Sequence, residues 1–117
     1  MVWLKKRYGD IDILITENGY SSSGQLDDYD RIDFFVKYLE QIIMAIKVDN
    51  INVVGYAVWS LIDNFEWIQG YTSKFGIYDV DFKDPDRKRT PRASAHFYAC
   101  LIKNRSLNDT CMNMDLL

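Results

Sequence analysis

Basic residues are in deficit: 14 Lys and Arg stand against 17 Asp and Glu, for a formal charge of −3. That balance argues against a nucleic-acid partner, because binding a phosphate backbone needs concentrated Lys and Arg. The one basic cluster, Arg87, Lys88 and Arg89 with Arg92, stands beside Asp84 and Asp86 and reads as a solvated loop. Long apolar runs are also missing. Nothing approaches the roughly 18 residues of a membrane-crossing helix, and Met1 to Arg7 lacks the apolar stretch of a signal peptide. Neither a membrane partner nor an export signal is therefore expected in the chain. Metal-binding chemistry is equally thin. His96 is the only histidine and reads as a surface or core residue, while Cys100 and Cys111 show no ligand spacing. The two cysteines fall in a predicted helix and a polar tail, so no metal and no cofactor are expected, and a disulfide is not well supported and stays open.

What is present is the composition of a soluble globular chain, 48% hydrophobic and 26% charged. Aromatics reach 15%, and such rings either fill a core or lie against the apolar faces of sugars. Two glycosylation sequons, Asn104-Arg105-Ser106 and Asn108-Asp109-Thr110, point to a secreted parent.

Periodicity organises the chain. Ile11 to Thr16 is a short apolar run rich in β-branched residues, suited to a strand buried on both faces, with Glu17 at its C-terminal end. Asn18-Gly19 and Ser21 to Gly24 are turn chemistry, and Asp27 and Asp28 offer caps for a following helix. From Arg31, Ile32, Phe35, Leu39, Ile42, Ile43 and Ile46 recur at spacings of three and four, which predicts a helix with one buried stripe. Asp33 and Lys37 can pair on its opposite face. Ile51 to Trp59 predicts a second buried strand, parallel to the first through a right-handed crossover. Residues 60–90 form a long excursion with extended pieces around Phe75 to Phe82. Thr90-Pro91 then starts a last helix, with Pro in its first turn and Phe97, Leu101 and Ile102 inward.

Two parallel strands cannot cover both faces of a sheet, so the pattern is part of a larger α/β structure. In a (β/α)8 barrel the C-terminal strand ends carry chemistry, which puts Glu17 and Trp59 on one rim.

The motifs on that rim resemble glycoside hydrolase family 1, the β-glucosidase family. Ile15 to Gly19 reads ITENG, the family's nucleophile motif, and Trp59 to Trp67 followed by Gly70-Tyr71 matches its WSLxDNFEW segment at the expected separation. Asp28 with Arg31-Ile32, Ala45-Ile46, Phe75 to Tyr78 and Val80 to Phe82 extend the likeness to about Arg105. Asp84 to Arg92 is most similar to animal, particularly insect, members. Lys74 stands where an Arg is usual and Tyr38 where many members have His.

The resemblance implies an α/β fold comprising the last two strand-helix units of a (β/α)8 TIM barrel, with residues 1–105 as the barrel portion and 106–117 as a polar tail. It also implies a retaining β-glycosidase acting on unphosphorylated β-glucosides through a covalent glycosyl-enzyme. Glu17 corresponds to the nucleophile, although alone it reads as a surface carboxylate. Glu66 and Trp67 correspond to residues that hold the sugar's distal hydroxyls. A carboxylate at position 66 would repel a phosphorylated sugar, and its plain alternative is a loop acid stabilised by Lys74. Trp59 corresponds to a sugar platform whose peptide bond to Ser60 is often cis, and its alternative is core packing. Phe75 has the same dual reading, near the sugar's primary hydroxyl. Asp63 and Asn64 are expected to brace the loop.

The family's acid/base sits in an Asn-Glu-Pro motif that this chain lacks. The chain alone is therefore expected to be inactive, with the missing barrel portion as its partner and a β-glucoside as the ligand of the whole. A noncatalytic sugar-binding or truncated relative, a partner segment for another chain and a thioglucosidase parent remain open. The parent is expected to be secreted or lysosomal.

Overall fold

The computed structural model describes residues 1–108 and residue 111. Eight elements follow in order: α1 (Val2–Tyr8), β1 (Asp12–Ile15), α2 (Tyr29–Lys47), β2 (Asn52–Tyr56), a 3-10 turn (Trp67–Gln69), β3 (Tyr78–Val80), β4 (Arg89–Pro91) and α3 (Ala93–Asn104). β1 and β2 pair in parallel with α2 as the crossover, and β3 and β4 form a separate antiparallel pair.

α2 forms where the three-four spacing of apolar residues falls. Phe35, Leu39, Ile42 and Ala45 are buried along it, whereas Ile32 and Ile43 are half-buried and Ile46 is exposed. Arg31 is the unexpected member of the buried face, fully covered at 0% exposure. Among the described residues Asp33 and Lys37 form no ion pair; both lie exposed. The main cluster joins Phe35, Leu39 and Ile42 to Ile77, Ala95, Phe97 and Cys111, so the core lies between α2, α3 and the segment leading into β3.

Several expectations are corrected. The strands are not buried on both faces: Leu14 is 60% and Val54 56% exposed, because among the described residues no further strand or helix covers them. The last helix starts at Ala93 rather than in the Thr90-Pro91 turn, since Pro91 ends β4, where a strand end tolerates its missing N–H. Phe97 points inward as expected, but Leu101 is half-buried and Ile102 is 59% exposed. Asp28 precedes α2 without capping it through its side chain; the carboxylate instead accepts the Ser94 backbone N–H at 2.9 Å and its hydroxyl at 2.7 Å, in the first turn of α3.

A further correction concerns the cysteines. Cys100 and Cys111 form a disulfide with 5.6 Å between their Cα atoms, and Cys111 is 2% exposed in the core cluster. Leu107 also packs on that core. The rest of the segment expected to be a polar tail, from 112 onward and at 109 and 110, lies outside the described residues.

α1 had no counterpart in the periodicity. It buries no residue, and its Lys5 donates to the Asn50 carbonyl at 2.7 Å while pairing with Asp10 at 3.1 Å.

Candidate functional site

The site begins where β1 and β2 run out. The ladder continues past both strands: Ala57 N–H donates to Ile15 O at 2.9 Å, and Trp59 N–H donates to Asn18 O at 2.8 Å. Gly19 then bridges Trp59 in parallel. A Cβ on Gly19 would stand 2.0 Å from the Trp59 carbonyl oxygen, so only glycine lets the two strand ends meet. Glu17 and Trp59 are thereby held on one rim. Tyr56 adds a brace, its hydroxyl donating to Asn18 Oδ1 at 2.9 Å. Burial, with a smaller contribution from Tyr98, pushes the Tyr56 hydroxyl well up from its ordinary value, so it stays a protonated donor.

From Trp59 the chain turns through a cis peptide bond to Ser60. Ser60 N–H donates to Phe75 O at 3.0 Å and Ile77 N–H returns to Ser60 O at 2.9 Å, which draws Phe75 beside the rim. The intervening loop folds on itself, with Glu66 N–H donating to Gly70 O at 2.7 Å. Trp59 Nε1 donates to Glu66 Oε1 at 3.1 Å. Lys74, the alternative partner for Glu66, instead lies 3.5 Å from Asp63 Oδ2 and over the Phe82 ring.

Beneath the loop lies a buried ionic layer. Arg92 donates to both oxygens of Asp63, at 3.1 and 2.9 Å, and to Asp79 Oδ1 at 2.9 Å and Gly76 O at 2.5 Å. Arg31 donates to Phe75 O at 2.6 Å, Lys74 O at 2.8 Å, Ser22 Oγ at 2.6 Å and also Gly76 O, with Asp28 Oδ2 3.0 Å from its Nε. The two guanidinium groups thus clamp the carbonyls of residues 74–76 from below. Arg92 is 0% exposed, which overturns its reading as part of a solvated basic loop; Arg87, Lys88 and Arg89 are exposed. Burial raises the Asp63 carboxyl, but the Arg92 hydrogen bonds and charge, the Gly76 N–H and Lys74 outweigh it and hold Asp63 below its usual range. Asp28 goes the other way, because burial outweighs its bonds from Ser94 and the nearby arginines. Asp63 therefore braces the loop, as expected, through a guanidinium. Asn64 does so through Ser60 Oγ at 2.9 Å.

Glu17, Asn18, Gly19, Trp59, Glu66, Trp67 and Phe75 line one open depression of about 530 Å³. All five residues singled out from the sequence border it. Trp59 is 39% and Trp67 84% exposed, so neither is a core residue. His96 is exposed on α3 and lines a different hollow, with Asp33 and Phe97. Sequence reasoning missed the roles of Arg31, Arg92, Asn18 and Tyr56. Two carboxylates and aromatic faces around an open hollow can accept hydrogen bonds from a polyol and stack on its apolar face.

Among the described residues no cluster of His, Cys, Asp or Glu is arranged to hold a metal, and no helix is long and apolar enough to cross a membrane.

The family description Glycosyl hydrolase family 1 matches residues 1–107. Myrosinase 1 of Brevicoryne brassicae is 49% identical over 87% of this chain and 22% of its own length. The structure of an aphid myrosinase superposes with a TM-score of 0.85 at 47% identity, over 87% of this chain and 22% of that one. The family 1 β-glucosidase of the fungus Humicola insolens, in complex with glucose, gives a TM-score of 0.81 at 40% identity over 88% of this chain and 23% of that one. The chain thus spans about a fifth of the length of these relatives. By the match along almost its whole length, the chain belongs to glycosyl hydrolase family 1.

Proposed function

We propose that the chain forms the last two strand-helix units of a (β/α)8 retaining β-glycosidase acting on unphosphorylated β-glucosides, with Glu17 as the nucleophile. The observation that carries this reading is the single hollow bordered by Glu17, Trp59, Glu66, Trp67 and Phe75.

In such an enzyme the Glu17 carboxylate attacks the anomeric carbon and a second carboxyl group, about 5 to 5.5 Å away, protonates the leaving oxygen. Water then cleaves the ester with that second group acting as base. Mounting Glu17 just past β1, with Asn18 pinned by Tyr56 and Trp59, suits a nucleophile that must stay within attack distance. Glu66 spends one lone pair on the Trp59 indole and keeps others for sugar hydroxyls. Trp67 supplies an exposed N–H donor, while Trp59 and Phe75 supply ring faces.

The acid/base has no candidate in an Asn-Glu-Pro setting here, so the reaction needs the upstream barrel. In the barrel-complete protein, Glu17→Gly should abolish release from an aryl β-glucoside, and azide should restore glycosyl transfer. Unchanged hydrolysis would remove Glu17 from the mechanism, and sugar binding without turnover by the unsubstituted protein would favour a noncatalytic relative.

A thioglucosidase parent is the second reading, favoured by the likeness to myrosinase in both sequence and structure. Parallel turnover of an aryl O-glucoside and a thioglucoside decides between them.

A further inference from the structure

The end of α3 and the residues after it hold a motif that sugar hydrolysis leaves unused. Asn104-Arg105-Ser106 is a glycosylation sequon, and it lies inside the loop closed by the Cys100–Cys111 disulfide. We propose that Asn104 is an N-linked glycan acceptor, modified in the oxidising lumen where that disulfide forms.

Three independent features meet there. First, the acceptor and its hydroxyl partner are both on the surface: Asn104 ends α3 exposed, Arg105 turns the chain in the left-handed region (φ 48°, ψ 36°), and Ser106 follows exposed. Second, disulfides form and persist in secretory compartments and are rare where thiols are kept reduced, and N-glycan transfer belongs to the same compartments. The bridge and the sequon thus point to one location by separate chemistries. Third, the position tolerates bulk. The start of α3 is locked into the site's ionic layer through Arg92 and Ser94. A helix of 12 residues spans about 18 Å, so Asn104 stands a helix length from the turn that Arg92 and Ser94 anchor.

The transfer itself is a substitution at an anomeric carbon. The Asn104 amide nitrogen forms the new C–N bond to an oligosaccharide carried on a lipid pyrophosphate, the C–O bond to pyrophosphate breaks, and the amide gives up one proton. Asn104 Nδ2 has two hydrogens, directed at Cys100 Sγ (3.2 Å) and Cys111 Sγ (3.4 Å), which are weak acceptors. Losing one of them costs the fold little. The second sequon differs: Asn108 is half-buried and its side-chain oxygen accepts the Cys111 N–H at 3.2 Å. The proposal is confined to Asn104.

The test is the full chain behind a secretion leader in eukaryotic cells, with lumenal and secreted material pooled. Treatment with peptide-N-glycosidase in heavy-oxygen water converts a glycosylated Asn to labelled Asp, read by peptide mass spectrometry. Label is expected at position 104, with a mobility shift of one glycan that Asn104→Gln and Ser106→Ala abolish and Ser106→Thr retains. Non-reducing digests of the same material should contain the Cys100–Cys111 cross-linked peptide. Transfer acts on the growing chain, so a folding defect does not mask the result. An unlabelled Asn104, label at Asn108 alone, or free thiols at both cysteines would overturn the proposal.

Discussion

The indole nitrogen of Trp59 donates to Glu66 Oε1 at 3.1 Å, so the tryptophan past β2 and the acidic residue of the loop orient one another. Under the proposed reading, a sugar hydroxyl arriving at Glu66 would meet a carboxylate already aimed. In the barrel-complete protein, Trp59→Phe keeps a ring face and removes the donor. A hydrogen bond to a charged group contributes about 1.5 kcal/mol or more, so KM for an aryl β-glucoside should rise roughly tenfold. An unchanged KM would mean that the contact does not position Glu66.

The loop rests on a charge pair that has left water. Asp63 and Arg92 are both essentially unexposed, and removing one partner of such a pair typically costs about 3 kcal/mol. Asp63→Ala should lower the urea midpoint accordingly. The sign of the pH effect follows from the direction of the shift. A carboxyl held below its usual range contributes stability that is present above its unfolded value and lost as pH falls through the folded one. The gap between the parent chain and Asp63→Ala should therefore narrow as the solution is acidified below the ordinary carboxylate range. Asp28, shifted upward, acts oppositely: the stability its carboxyl contributes is present below its unfolded value and lost as pH rises through the folded one. A gap independent of pH would deny the ion pair its role.

Closing the loop between Cys100 and Cys111, 11 residues apart, restricts the unfolded chain by about 3 kcal/mol. Reduction, or Cys100→Ser, should lower the unfolding free energy read from urea titration by that amount and also free Cys111 from the core. Equal midpoints with and without reductant would show the bridge to be idle.

Both outer edges of the β1 and β2 pair are open, and Leu14 and Val54 are more than half exposed on its faces. The chain alone should therefore self-associate with rising concentration, as read by sedimentation velocity, and release nothing from an aryl β-glucoside. Leu14→Lys with Val54→Lys should restore the smaller species. A monomer across the whole concentration range would contradict the account of open edges.

How much of this was legible in the sequence depended on whether the deciding partner was local. α2 followed from the spacing of Phe35, Leu39 and Ile42, because a helix's buried stripe is set within the helix. The strands were placed correctly but their burial was not, since no described element supplies atoms to cover Leu14 and Val54. Arg92 was grouped with Arg87, Lys88 and Arg89 on adjacency; what buries it is Asp63, 29 residues earlier. The Cys100–Cys111 bridge had no metal-like spacing or periodic signature to announce it. α1 is seven residues with no buried face, too short for a pattern to register. The hollow was legible through the two motifs, which name the residues that strand ends and a folded loop bring together. Its support by Arg31, Arg92 and Tyr56 was not, as those contacts join residues far apart in the chain.

The most direct test of Glu17 is to catch the bond it is proposed to form. A 2-deoxy-2-fluoro-β-glucoside with an activated leaving group slows both steps of a retaining mechanism but slows release more, so the glycosyl-enzyme accumulates. The barrel-complete protein should be inactivated with time, and peptide mass spectrometry should place one fluoroglucosyl group on Glu17. A label on any other carboxylate, or turnover without inactivation, would contradict the assignment.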